Sequence, residues 1–444
     1  MENNKQKKII EVLTGIVYEI MLDTEDINEK SNLIEYGLTS IQLMNIISKL
    51  NEKGYKGISF YDLITNPTMH DWAYMIENSK QRCNSVEDTT KSKEEYFPMT
   101  DTQYAYWIGR KGNQPLGNVG CHGYFEFLAD ANLDLKRLEY AWAKIQHIHP
   151  ALRTQFGLDG MQNLMEEPFK ASIDIYDYSC EADSDLCRKK LRKKLENRVL
   201  NIEEGQVANL SVSIDKNFQI LHFEIDMLVA DLYSLQCIFK DLTRIYLGEE
   251  VFECSSDDLK QCITRRAYLN ENYEKSDENY WKKLILNNFS EIRMPLKTDP
   301  KNIQGHTTMR KRYRIEKEKI EKIKSISQNN KVTFAMVLLS IYGDIISRWN
   351  DSEKFMVSVP INNHIEENKS LVAELTDIVL IPLDYTNLYS FIDKVNMVKK
   401  NFYEAMKHRS YSGVKLQKYL IKNGWDYGHI APFVFSSYYE TDFF

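Results

Sequence analysis

Apolar residues recur at helical spacing from the start of the chain. Ile9, Ile10, Leu13, Ile16, Val17 and Ile20 predict an amphipathic helix. A polar stretch over 23–32 follows. A second helical pattern, Ile41, Met44, Ile47 and Leu50 with Leu43 beside them, begins directly after Ser40. Asn66-Pro67-Thr68 then punctuates the chain before a short apolar run through Trp72, Met75 and Ile76. Residues 1–80 are therefore expected to form a small helical bundle. Residues 81–95 have almost no apolar content and no periodicity, so they read as a linker. From Tyr96 the texture is mixed. Helical patterns over 133–148, 185–199, 235–246, 317–326, 332–349 and 391–406 alternate with strand-like runs over 123–127, 209–214, 219–225, 354–359, 378–383 and 432–435. The similar order of elements in the two halves predicts two α/β lobes, 96–270 and 271–444, although no sequence repeat links them.

Composition narrows the field. A length of 444 residues accommodates two to four domains at roughly 100–200 residues each. The net charge is −7, which argues against a basic nucleic-acid-binding surface. The longest apolar-looking run, 334–346, is about half a membrane span and contains Ser340 and Asp344, so no transmembrane helix and no membrane partner are expected. The polar N-terminus predicts no secretory signal. Seven cysteines without Cys-x-x-Cys spacing fit a reduced, cytoplasmic chain without structural zinc. Residues 1–80 hold 8 Lys+Arg against 12 Asp+Glu, so the small bundle carries −4 of the total.

Ser40 closes the run Gly37-Leu38-Thr39-Ser40 just before an apolar-periodic segment, which puts it at a helix N-terminus. Its hydroxyl could cap free backbone N–H groups there. Alternatively, the helix dipole and exposed amides favour an anion on this serine, and a phosphodiester would sit well.

The wider pattern favours the second reading. The run from Asn32 through Ser40 to Met44, then Gly54-Tyr55, the segment from Ile58 to Leu63, Asn66-Pro67-Thr68 and Trp72 resembles the thiolation (carrier) domains of nonribosomal peptide synthetases, most closely their aryl-carrier branch. That resemblance implies a four-helix carrier bundle with 4′-phosphopantetheine attached to Ser40. Aryl carriers usually have Asp before the serine. Thr39 stands there, which weakens "aryl" more than "carrier".

Beyond the linker, Phe97-Pro98-Met99-Thr100 with Gln103, Ala105-Tyr106 and Gly109-Arg110 resembles the opening motif of heterocyclization domains, a branch of the condensation-domain family. His149-Pro150-Ala151-Leu152-Arg153-Thr154 resembles the second motif, with Ile148 at the first position of the usual Arg-His pair. Asp226, Asp231 and Ser234 fit the diagnostic Asp-x4-Asp-x2-Ser pattern, and further matches follow in family order from Tyr280-Trp281 to Ser437. Ordinary condensation domains carry His-His-x3-Asp-Gly here. Asp226 and Met227 occupy the two histidine positions, so a histidine general base at that place is absent. The implied fold is a pair of chloramphenicol-acetyltransferase-like α/β lobes, giving an α plus α/β multidomain chain. Asp231 is expected to form a buried ion pair with Arg153, with Ser234 completing the structural motif.

The resemblance also implies the chemistry. Forming an amide from a thioester mainly requires the two reactants to be held in attack geometry. Closing the ring is harder, because a Cys, Ser or Thr side chain attacks the new amide and a hydroxyl must then leave as water. The groups implied for these steps are Asp226, Asn363 (with neighbouring Asn362 as an alternative) and Ser436. A later Asp of the family does not appear before Phe444, and Asp442 follows Ser436 too closely to replace it. The expectation is a fragment of a longer synthetase, with a shortened domain as the alternative. Expected partners are a phosphopantetheinyl transferase, an adenylation domain that loads the carrier, and a downstream aminoacyl carrier. Condensation without cyclization, or a non-catalytic docking module, are the competing readings.

Overall fold

The computed structural model describes residues 2–21, 27–33, 36, 38, 46, 49–50, 53, 55, 63, 66–78, 96–111, 117, 119–129, 133–157, 160–268, 271–286, 288–303, 309–364 and 370–437. Ser40, the linker expected at 81–95 and Asp442 lie outside them.

In the first part, α1 (Glu2–Ile20) packs on α2 (Met69–Asn78). Leu13, Val17, Leu33, Leu50, Leu63 and Trp72 are all fully buried. Trp72 donates its indole N–H to the Leu63 carbonyl at 2.9 Å, so the largest core side chain is also satisfied as a polar group.

The large region begins with β1 (Tyr96–Pro98) and α3 (Asp101–Gly109). Thr100 and Gln103 form a reciprocal capping box that fixes the start of α3. A four-stranded sheet follows, in the order β2-β7-β6-β5: β2 (His122–Ala129), β5 (Asp174–Asp177), β6 (Ala208–Ile214) and β7 (Gln219–Asp226). Only the β5–β6 pair is parallel. Helices α4 (Leu135–Ile148) and α6 (Leu232–Leu247) cover one face, where Trp142 and Phe239 meet Phe223 edge-on at 6.0 and 4.9 Å. The other face is polar and still largely buried. Tyr124, His222 and Ser213 form a hydrogen-bonded row across three strands, and α5 (Ser184–Glu196) lies against β2. A separate antiparallel sheet has the order β1-β4-β3, with β3 (Thr154–Phe156) and β4 (Met161–Leu164).

Helices α7 (Ser256–Tyr268) and α8 (Glu271–Ile285) lead to a second core. It is built from α9 (Lys317–Asn329), α10 (Phe334–Ser347), the antiparallel pair β8 (Lys354–Ile361) and β9 (Asp377–Asp384), α11 (Phe391–Lys407) and α12 (Gly413–Lys422). Trp281, Phe355, Val357 and Ile381 are buried at its centre. A Cβ at Gly413 would stand 2.6 Å from the Ile378 carbonyl, so glycine is what lets α12 begin against β9.

The two cores are not independent. Leu371, Val372, Ala373 and Leu375, which enter β9 of the second lobe, are buried in the hydrophobic core of the first. Helices at 135–148, 184–196, 232–247, 317–329, 334–347 and 391–407 match the expected periodicity. The run at 432–435 is not a full strand. It touches β8 through one parallel bridge, Val434 opposite Ser358. The strands β1, β3, β4 and β5 have three or four residues each, too few for a period-two signal to stand out.

Candidate active site between the lobes

The loop from β7 to α6 is set by its two acids. Asp226 ends β7, and its Oδ1 accepts from the Leu228 amide at 3.1 Å, which turns the chain. Asp231 is the N-cap of α6 and its Oδ1 accepts from the Ser234 amide at 2.9 Å. Both acids are buried, at 1% and 3% exposure.

Asp226 finds its counter-ion in Arg110, at the end of α3. The same guanidinium donates to the Leu200 carbonyl. Burial pushes the Asp226 carboxyl up, while Arg110 and the Leu228 amide pull it down. Gly120 gives this pair its room, since a Cβ there would meet Arg110 Nη1 at 2.6 Å.

Asp231 does not pair with Arg153. Arg153 donates from Nε to the Gln146 carbonyl at 3.0 Å and from Nη1 to the Met165 and Glu166 carbonyls. It sits at the C-terminal end of α4, where helix carbonyls without intrahelical partners attract a cation. Asp231 instead places Oδ2 2.9 Å from Nε2 of His364, with the Leu375 amide at 3.4 Å. His364 comes from the end of β8 in the other lobe and lies against the Tyr233 ring at 4.5 Å.

Ser234 strengthens the same junction. Its hydroxyl lies 2.8 Å from the Ala373 carbonyl and 2.9 Å from Asp231 Oδ1, and it accepts from the Ala373 amide at 3.0 Å. Asn363 joins from the second lobe, donating Nδ2 to the Leu375 carbonyl at 3.0 Å and the Ile361 carbonyl at 3.3 Å. Thr102 on α3 donates to the Thr376 carbonyl at 2.7 Å. Asp231, Ser234, Asn363 and Thr102 therefore converge on residues 373–376. Asn362 is exposed, and its Oδ1 accepts from the His364 amide.

Ser436 is exposed on the last described segment. Phe435 donates to the Ser358 carbonyl and Ser358 to the Phe433 carbonyl, each at 2.9 Å, so this segment runs parallel to β8. Two residues further on, Ser436 comes level with Pro360, at the end of β8 that leads to Asn363. Among the described residues no hydrogen bond joins Ser436 to Asn363.

Burial shifts several ionisable groups at the junction. Burial pushes the Cys121 thiol up to about 12, and raises its hydrogen-bonded neighbour Tyr106 as well. Glu374 is fully buried, and burial together with the nearby Asp231 raises its carboxyl well above the ordinary value. It lines a small cavity with Phe97, Gln103, Thr154 and Gln162.

Glu374 makes a pH prediction. Its folded pKa is raised, so the folded chain keeps a proton that the unfolded chain has lost. The associated stability is present at low pH and falls as pH rises from about 4.5 toward the folded value. Glu374→Gln should remove that fall, giving a flatter melting temperature across about pH 4 to 8. Equal slopes in both proteins would rule it out.

Arg110 and His364 are the partners that sequence reasoning did not assign. The available signal was that two buried acids need two positive or donating partners. Arg110 lies in the opening motif and His364 directly follows Asn363, but spacing along the chain matches neither to an acid.

Phosphopantetheine chemistry fits the first part of the chain. Leu38 is buried and its amide donates to the Leu33 carbonyl at 2.9 Å, and Ile46 is buried on the far side. In the sequence Ser40 falls between these two residues, and a serine hydroxyl is the group such a phosphodiester requires.

A model described as condensation domain matches residues 93–429, and one described as phosphopantetheine attachment site matches residues 9–76. Pyochelin synthetase PchE of Pseudomonas aeruginosa is 24% identical over 441 residues, covering 97% of this chain and 30% of that protein. Phenyloxazoline synthase MbtB of Mycolicibacterium paratuberculosis is 24% identical over 436 residues, covering 94% of this chain and 36% of that protein. The chain thus spans about a third of the length of these curated relatives. Among solved structures, the EpoB cyclization-docking bidomain from Sorangium cellulosum superposes with a TM-score of 0.68 at 21% identity, covering 98% of this chain and 84% of that one. The two-lobed condensation fold expected from the motifs is the one observed. No described helix is long and apolar enough to cross a membrane. The chain belongs to the condensation-domain family, and ahead of that domain it carries a domain for covalently attached phosphopantetheine.

Proposed function

We propose that residues 1–80 form a carrier whose Ser40 bears an acyl group on a phosphopantetheine arm, and that residues 96–444 belong to a heterocyclization domain. In this reading, the amine of a carrier-bound Cys, Ser or Thr attacks the acyl thioester carbon. The C–S bond breaks and the carrier thiol leaves with a proton. The side-chain sulfur or oxygen then adds to the new amide carbon, and the hydroxyl so formed departs as water to leave a thiazoline or oxazoline.

The observation that carries this reading is the Asp226, Asp231 and Ser234 constellation at the lobe junction, with Met227 where a condensation histidine would stand. The name of one relative, phenyloxazoline synthase, points the same way. Asp226, with both oxygens engaged by Arg110 and Leu228, acts as an anchor for the loop rather than on substrate. Asn363 is the candidate for orienting the reacting amide: its NH2 is committed to two carbonyls, which sets the side chain, and its Oδ1 is the atom that can accept a hydrogen bond from the amide N–H or the attacking group. Ser436 supplies a hydroxyl for proton movement during water loss. Family membership implies a transferase, an adenylation enzyme and further carriers as partners. The specific ones proposed are a phosphopantetheinyl transferase, the adenylation domain that loads Ser40, and a downstream aminoacyl carrier.

The test supplies the acyl-loaded chain with a cysteinyl carrier and weighs the product. A product lighter than the linear amide by one water supports cyclization. Linear amide alone reduces the activity to condensation, and no product from a loaded chain leaves only docking. Asn363→Ala should shift the products from ring to linear amide while amide formation continues.

A further inference from the structure

Helix α12 meets the carrier. Lys422, at its C-terminal end, donates Nζ to the Tyr36 carbonyl at 3.2 Å and stands 4.9 Å over the Tyr36 ring. Tyr36 precedes Ser40 by four residues, a separation that extended chain spans in at most about 14 Å. The helix reads Gly-Val-Lys-Leu-Gln-Lys-Tyr-Leu-Ile-Lys, three cations and no acid, while residues 1–80 hold 12 acids against 8 lysines. The helix is cationic and the first domain acidic overall, so the two attract in net charge.

The three lysines differ. Lys415 is engaged by Glu274 at 2.8 Å, with Asp101 at 3.9 Å. Lys422 holds Tyr36. Lys418 lies one turn before Lys422 on the same side of the helix. It is half-buried 4.7 Å over the Tyr104 ring and makes no ion pair among the described residues. Burial lowers its pKa and the neighbouring Lys415 adds to this, against a partial offset from the Asp101 carboxylate, so the ammonium is short of water. Such a cation gains most from an anion brought to it.

The direction is informative. Tyr104 belongs to α3, and on that helix Thr102 holds the Thr376 carbonyl and Tyr106 contacts Cys121. A line from Tyr36 through Lys422, Lys418 and Tyr104 therefore leads from the carrier to the junction between the lobes.

We propose that α12 is the docking surface for this chain's own carrier, and that Lys418 binds the phosphodiester of the arm attached to it. This rests on Ser40 as the attachment site, so that point is read out separately. The full chain is converted to its holo form and intact mass is recorded. The phosphorus NMR line of the arm is then compared in wild type, Lys418→Met, Lys418→Arg and Lys422→Met, each with its melting temperature.

A held phosphodiester gives a broad line. Lys418→Met and Lys422→Met should lose it for the narrow line of a mobile arm, and Lys418→Arg should keep it. Salt at about 1 M, where screening acts within about 3 Å, should narrow the wild-type line. No mass gain would refute the attachment site itself. A normal mass gain with the same line in wild type and Lys418→Met would overturn the phosphate assignment. Narrowing in Lys418→Arg as well would overturn it too, because packing rather than charge would be responsible. An unchanged line in Lys422→Met would overturn the docking surface.

Discussion

Asp231→Ala should lower stability by about 3–5 kcal/mol, the loss expected when one partner of a buried polar pair is removed and the other is stranded. The carboxylate caps α6, meets the Ser234 hydroxyl, pairs with His364 and receives the Leu375 amide. Two of those partners come from the second lobe, so the loss falls on the junction as well as on the helix. Asp231→Asn retains the cap and should lose clearly less. The measurement is thermal unfolding followed by near-UV circular dichroism, which reports Tyr233 and other aromatic groups near the junction. A wild-type melting temperature with lost activity would move Asp231 from structural to catalytic.

Ser40→Ala should abolish loading altogether. Covalent attachment needs the hydroxyl oxygen, and no neighbouring side chain can substitute without moving the arm's anchor. Incubation with coenzyme A and a competent transferase should add one phosphopantetheine to the wild-type mass and nothing to the variant. The condensation domain of the variant should still melt normally and still accept an acyl carrier supplied separately. A mass gain in Ser40→Ala would place the arm elsewhere. A wild-type chain that gains nothing would remove the carrier assignment.

The helices and long strands were legible because each buries a continuous face. Trp142 and Ile145 on α4, or Phe223 and Ile225 on β7, announce their element by spacing alone. The polar junction was only half legible. Asp231 and Ser234 lie three residues apart, and their mutual bond is the ordinary geometry of a helix start. Their other partners lie far along the chain. Ala373 is 139 residues beyond Ser234, and His364 is 133 beyond Asp231. Spacing carries no information over such separations, so the expected Arg153 partner came from motif order and was the wrong one. Arg153 was drawn to helix carbonyls a few residues away, which satisfied it locally.

The amino-acid sequence by itself determined the division into an acidic helical domain and a larger α/β region, the motif series that marks the condensation family, and the serine suited to a phosphodiester. All of these depend on local periodicity or on residue order, which the chain carries directly. Only the tertiary structure decided that Asp226 belongs to Arg110, that Asp231 belongs to His364, and that residues 373–376 of one lobe are held by the other. Those choices depend on which buried charges and unsatisfied backbone groups come within about 3 Å when the lobes close, and hydrogen bonding at that range follows geometry rather than sequence.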